Sequence, residues 1–321
     1  MANIKITDVK IADMQEGYDF ESIYILWNVE TKRASNNKYY LDFTFRDETG
    51  EVSGKKWDAS ANEGEYIKSG KLYCVKGHAV VFQGAIQLNI FEYKIAPLEM
   101  QQKIGDYVPS APVSSEEMMK TVYQYCDKVK DEDLKKLVYS VYKEYEKEVM
   151  YYPAAKALHH SIRGGYLYHV TTMLKVGEAL SGIYNSVNTD YLYTGILIHD
   201  IMKLKEMNSN EFGIAEYSDK GQLMGHIELG ISYIDARAKE LGIPEKKTML
   251  LEHMILSHHY EPEYGSSKMP MFLEAELLHH IDLIDARVYD FNKVYESLEK
   301  GRFTEKQVFS LERKVLKPDF E

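Results

Sequence analysis

Apolar and polar positions alternate with a period of two over the first ~95 residues and repeat near 3.6 over the remainder. In Tyr39–Arg46, Tyr39, Leu41, Phe43 and Phe45 fall on one face, and Tyr40, Asp42, Thr44 and Arg46 on the other. That spacing predicts a half-buried strand. Asp47-Glu48-Thr49-Gly50 reads as a turn, and Glu51–Asp58 as the returning strand, with Trp57 near its end. Further strands are predicted at Ile4–Ala12, Tyr24–Thr31, Lys71–Val81 and Phe82–Ile95, with Gly84 near a hairpin tip. About five or six strands in so short a stretch point to a small closed barrel.

Pro97, Pro109 and Pro112, with Gly105 among them, mark residues 97–114 as a linker. Ser114 with Glu117 three residues on is a capping box, which starts a helix. The periodicity then predicts helices at Glu132–Met150, stopped by Pro153, and at Gly165–Ile183, Asp190–Lys203, Gly221–Leu241, Glu245–Ser257 and Met271–Leu298. The expected organisation is multi-domain β + α: a small barrel over residues 1–96, the linker, and an all-α domain over 115–321.

Composition narrows the possibilities. Hydrophobic residues are 45% and charged residues 28% of 321, the profile of an ordinary folded chain. Cys74 and Cys126 form no CxxC, which fits a reducing cytoplasm and excludes a cysteine zinc site. No apolar run reaches the ~20 residues of a membrane span, and Met1–Asp8 reads without the features of a signal peptide. The formal charge is −11. Residues 1–96 carry 12 basic and 14 acidic residues and the rest 27 and 36, so the acidity lies in the helical part. A whole-chain basic footprint for nucleic acid is excluded, and any such binding needs a local patch or metal ions. The 26 tyrosines leave self-association into a homo-oligomer open.

The histidines change the picture most. Ten of the eleven lie between His159 and His280, a clustering that signals a metal site. His199-Asp200 sits late in an apolar helix, where adjacent side chains point ~100° apart and meet one ion only at an edge or kink. A buried Asp needs a partner, and Lys203 offers an alternative to a cation. His169 and the inward Asp282 of another apolar helix add nitrogen and oxygen donors. The set His169, His199, Asp200 and Asp282 suits Mn, Fe or Mg, with no thiolate to favour structural zinc.

These residues resemble the H…HD…D pattern of the HD superfamily of metal-dependent phosphohydrolases. Gly225-His226-Ile227-Glu228-Leu229-Gly230 is similar to the GH-x-x-x-G helix of its two-metal members, and Leu256-Ser257-His258-His259 to their paired histidines. The resemblance implies one ion on His169, His199, Asp200 and Asp282, and a second on Asp200, His226 and His258 or His259, with His258 preferred. Met202 stands where the family's HD-x-G-K pattern has Gly, which would narrow the space beside Lys203. Lys38–Val52 followed by Lys56-Trp57-Asp58 looks like an OB-fold nucleic-acid-binding barrel. The order of the two domains, with His159-x-x-x-Arg163-Gly164-Gly165, resembles the YhaM-like 3′→5′ exoribonucleases of Gram-positive bacteria.

The resemblance implies two divalent ions, Mn²⁺ before Fe²⁺, Co²⁺ or Mg²⁺, and hydrolysis of single-stranded RNA to nucleoside 5′-monophosphates, with single-stranded DNA left open. Asp200 would bridge the ions. Lys203 would contact a phosphate oxygen, and Arg163 would clamp a phosphate, since a guanidinium binds it bidentately. On the barrel, Tyr40 would stack a base, with Arg46, Lys55 and Lys56 along the backbone; Phe43, Phe45 and Trp57 read as core. His253 reads as a satisfied core histidine, His279 and His280 as packing residues, Asp285 with Arg287 as a structural pair, and His159 and His160 as flanking the Arg-Gly-Gly turn, with lining of a substrate channel as the lesser alternative. Two alternatives stay open: a phosphodiesterase for a cyclic dinucleotide or nucleotide, although no GYP follows His259, and a non-catalytic single-strand-binding protein.

Overall fold

The computed structural model describes residues 4–101, 103–156 and 160–320. The chain divides into two compact units, Met1–Ser110 and Ala111–Glu321. Among the described residues, no helix is long and apolar enough to cross a membrane.

In the first unit, β1 (Ile4–Thr7) runs parallel to β2 (Tyr18–Arg33). The long β2 pairs antiparallel with β3 (Tyr39–Asp47) through its second half and with β5 (Lys71–Phe82) through its first. β4 (Gly50–Ala59) continues from β3, and β6 (Ala85–Ile95) joins β4 in parallel to β5 in antiparallel. Because β2 serves both margins, the sheet closes on itself, and a barrel leaves few strand edges unpaired. The expected alternation holds in β3, where Leu41, Phe43 and Phe45 are buried. The Phe43 and Phe45 rings stack at 5.2 Å.

Three details differ from expectation. β2 begins at Tyr18 rather than Tyr24. The hairpin turns on Gln83 and Gly84, both at positive φ, so Phe82 closes β5 instead of opening β6. Most of the stretch read as a linker is folded on the barrel side: α1 (Leu98–Gln101) ends with a side chain that bonds both the N–H and the carbonyl of Leu72.

The second unit is helical. α2 (Ser115–Lys128) is capped as predicted, Ser114 Oγ accepting from the Glu117 N–H at 3.2 Å. The predicted helix Glu132–Met150 is broken at Tyr145 into α3 (Glu132–Glu144) and α4 (Glu146–Val149). α5 (Gly165–Ile183) and α9 (Glu245–Ser257) match their predicted limits. Between them lie α6 (Thr189–Ile198), α7 (Lys203–Glu206) and α8 (Asp219–Leu241), and α10 (Leu273–Ser297) closes the set. Two ribbons too short for a period-two signal depart from a purely α domain: β7 (Met207–Ser209) with β8 (Ala215–Tyr217), and β9 (Arg302–Phe303) with β10 (Leu316–Lys317). One continuous core spans the helices, including Tyr142, Tyr166, Leu197, Met254 and Ile281.

Two glycine positions are set by geometry. Gly164 precedes α5 at φ 71, and a Cβ on Gly165 would meet the His160 carbonyl oxygen at 2.0 Å, so the Gly-Gly pair is required there. Gly225 kinks α8 at φ 72 and ψ 169, a region open essentially to glycine alone. Gly225→Ala is therefore expected to lower the unfolding free energy by about 1–3 kcal/mol. Denaturant midpoints of the two proteins check this.

Candidate metal centre

His169 and Asp282 project from regular stretches of α5 and α10, whereas helical regularity breaks where the other site residues enter. α6 stops at Ile198, and His199 and Asp200 occupy the helix end and the turn leading to α7. This break resolves the difficulty of two adjacent residues serving one place. His226 follows the Gly225 kink, and His258 caps the end of α9.

The Asp200 carboxylate is 2% exposed and faces two ways. Its Oδ2 lies 3.4 Å from His199 Nε2, 3.9 Å from His169 Nε2 and 2.7 Å from Lys203 Nζ. Its Oδ1 lies 3.4 Å from His226 Nε2 and 3.6 Å from His258 Nε2. His259 joins this second group, its ring 5.1 Å from that of His226. Asp282, on α10, brings Oδ1 to 3.3 Å from His169 Nε2.

The outer nitrogens fix the rings. His199 Nδ1 is 2.9 Å from the Ile196 carbonyl, and His258 Nδ1 is 2.7 Å from that of Ile255. Glu206 Oε1 lies 3.0 Å from His226 Nδ1, and Asp285 Oδ2 lies 2.7 Å from His169 Nδ1. Every one of these partners accepts only, so each Nδ1 carries its proton, and at His199, His226 and His258 the inner Nε2 presents a lone pair, whereas His169 Nε2 faces the Asp282 carboxylate. The Nε2 atoms of His199, His226 and His258 and Oδ1 of Asp200 are buried with no hydrogen-bond partner. Four converging buried acceptors without a donor fit a divalent cation, and an HD domain implies dependence on one.

Electrostatics agree. Burial opposes ionisation of Asp200 and Asp282, yet Lys203, His199 and His258 hold Asp200, and His169 and His199 hold Asp282, well below the usual carboxylate range. Burial also opposes a charge on His169, but Asp282 and Asp285 outweigh it and hold that ring up at about 10. The centre is thus built to stabilise positive charge. Burial and neighbouring imidazoles push His258 and His259 down, keeping them neutral as metal donors must be.

Several expectations are corrected here. Asp285 does not pair with Arg287; its Oδ2 is 2.7 Å from both His169 Nδ1 and His160 Nε2. His160 is 1% exposed, against the Tyr289 ring, rather than on an open channel; His159 lies outside the described residues. His253 is satisfied, accepting from the Met271 N–H at 3.0 Å. His279 Nδ1 donates to the His258 carbonyl at 2.8 Å, so it fixes the backbone of His258, while His280 pairs with Glu276 at the surface. Met202 is buried in the helical core. Arg163 precedes α5 and donates Nε to the Glu211 carbonyl at 2.9 Å. Glu206 was not singled out by sequence at all.

On the barrel, Tyr40 and Trp57 pack ring on ring at 5.0 Å, with Lys55 Nζ 4.8 Å from the Tyr40 centroid. Trp57 is 51% exposed, not core. Val52 and Gly54 face inward, so period two turns residue 57 outward. Arg46 lies over the Trp27 ring at 3.3 Å and pairs with Glu51, and Lys56 lies 3.4 Å from Glu63.

The HD domain family matches residues 166–287, and the OB-fold nucleic acid binding domain family matches residues 28–96. The chain is 33% identical over 306 residues to a 3′-5′ exoribonuclease YhaM of Halalkalibacterium halodurans, covering 95% of both chains. It is 34% identical to the protein of that name from Bacillus subtilis, over 92% of this chain and 94% of that one. Identity is 35% with that of Bacillus licheniformis, over 93% and 95%. With an OB-fold barrel, an HD metal cluster and relatives matched nearly end to end, the chain belongs to the YhaM family of 3′-5′ exoribonucleases, phosphodiester hydrolases of the HD class.

Proposed function

We propose that this protein removes nucleotides from the 3′ end of single-stranded RNA by metal-dependent hydrolysis, releasing nucleoside 5′-monophosphates, with single-stranded DNA as a second substrate. The observation that carries this reading is the double-sided Asp200, whose two oxygens face separate groups of histidines. His169, His199, Asp200 and Asp282 would hold one ion; Asp200, His226, His258 and His259 would hold the other. Both histidines of the adjacent pair are assigned, because they sit at the end of α9 and both reach the Oδ1 side. The nitrogen and oxygen donors suit Mn²⁺ best, and Fe²⁺, Co²⁺ and Mg²⁺ meet the same chemistry. Bound there, the ions would supply a hydroxide nucleophile near neutral pH and offset charge on the phosphoryl oxygens.

The chain's own residues do the rest. Lys203, 7% exposed, holds Oδ2 of Asp200 and sets positive charge beside the place where a phosphate would bind. Glu206 and Asp285 fix the tautomers of His226 and His169. Arg163 is the proposed phosphate clamp. Attack from water expels the 3′ oxygen of the preceding nucleotide, so the product carries a 5′-phosphate. On the barrel, Tyr40 and Trp57 would stack bases, with Lys55, Lys56 and Arg46 lying along the sugar-phosphate chain. The barrel over residues 1–96 is thus the strand-binding domain, and 115–321 the hydrolytic one.

A 5′-labelled single-stranded RNA incubated with Mn²⁺ is expected to give a ladder shortening from the 3′ end, abolished by chelator. Asp200→Ala is expected to fall to the chelated background and to lose bound Mn²⁺ by elemental analysis; full activity with normal metal content would refute the bridging role. Asp285→Asn keeps the shape but removes the negative charge to which Nδ1 of His169 donates, so Mn²⁺ affinity is expected to drop about 10–100-fold, measured by titration calorimetry. Trp57→Ala is expected to weaken single-stranded RNA binding by about 1–3 kcal/mol in fluorescence anisotropy while leaving Mn²⁺ content unchanged.

A further inference from the structure

A cleft of about 540 Å³ reaches the surface from His258, His259 and Asp282. Outside the metal cluster its lining includes three rings, Tyr260, His279 and Phe309, together with Arg287 and carboxylates such as Glu261 and Asp290. Tyr260 follows the paired histidines directly and is held at φ 69, a conformation bulky side chains rarely adopt. Its ring packs on that of His279 at 4.8 Å. Strain of this kind next to a reactive centre is retained where the surroundings impose it.

Phe309 comes from the segment after α10. That segment is pinned where it meets the helix: Leu311 and Val315 are each 2% exposed, Arg287 Nη1 donates to the Ser310 carbonyl at 2.7 Å, and Lys317 Nζ donates to that of Tyr295. Just before these anchors the Phe309 ring stands 86% exposed at the cleft. Holding a large aromatic ring in water beside fixed neighbours gives the fold no stability. The same ring gives a flat surface for a ligand with a π-face.

We infer that this cleft is the subsite for the 3′-terminal nucleotide, its base stacked on Phe309 and the Tyr260–His279 pair and its phosphate turned toward Asp282 and the histidines. This rests on the nuclease reading above and adds the residues that seat the end of the strand. Stacking tolerates every base, so the subsite would admit an RNA end of any sequence.

The test uses the full-length, Mn²⁺-loaded protein and a short single-stranded RNA whose last linkage is a non-hydrolysable phosphonate. One version carries 2-aminopurine at the 3′ end and another at the 5′ end. Binding is expected to quench the 3′ probe and spare the 5′ probe. Phe309→Ala is expected to weaken 3′ quenching about tenfold in protein concentration, and Phe309→Tyr to restore it; Phe309→Ala should likewise raise KM on cleavable RNA with kcat kept. An unquenched 3′ probe, or equal quenching by Phe309→Ala, would overturn the subsite. Should the unaltered protein fail to shorten RNA from the 3′ end, the nuclease reading itself falls, so the two failures are distinguishable.

Discussion

A carboxylate almost wholly withdrawn from water survives as an anion only where positive charge and donors surround it. Asp200 sets that requirement for the whole helical unit. Its two oxygens are approached by side chains from α5, α8, α9, the end of α6 and the start of α7. Lys203 supplies one positive charge, but it reaches only Oδ2. Oδ1 faces lone pairs on His226 and His258, an arrangement that is repulsive until a cation sits among them. Three irregularities in the helices serve this convergence: the stop at Ile198, the kink at Gly225 and the end of α9 at Ser257.

The acidic balance of the chain follows from the same constraint. An enzyme for a polyanion would ordinarily display lysines and arginines, whereas this helical unit carries a surplus of carboxylates. Divalent ions are the largest local charges in such a site. The barrel follows a related pattern. Lys56 and Arg46 stand beside Glu63 and Glu51, and Lys55 lies 3.8 Å from Asp42. Much of the positive charge on that face is already balanced, so aromatic stacking on Tyr40 and Trp57 would bear more of the affinity than bare charge does.

The domain order and the side chains that converge around Asp200 were legible because chemistry-bearing residue types are rare and cluster in sequence. His199, Asp200, His226 and Asp282 could be named from motif alone, and the barrel from alternation. What could not be read was the partner of each. Asp285 lies three residues after Asp282, hence on the same helix face, yet its nearest charged neighbour in sequence, Arg287, turns away to the Ser310 carbonyl. His160 is bonded to a residue 125 positions distant, which no local pattern encodes. Trp57 was readable in principle, since its parity opposes Val52 and Gly54; size and apolarity outweighed register. The short α7 and the β7–β8 ribbon lie below the length at which either period is detectable.

The supporting residues also explain how the metal centre and the cleft act together. Tyr260 is bonded covalently to His259, and His279 donates to the carbonyl of His258, so the stacked pair rests on the backbone that presents two proposed ligands. On α10, Asp282 and Asp285 face the centre, while Arg287, two residues further on, holds the turn carrying Phe309. The aromatics and the reactive groups thus share a backbone but would divide the work: Phe309 and the Tyr260–His279 pair would bear on how tightly the strand end is held, and Asp282 with the histidines on the step that cuts it.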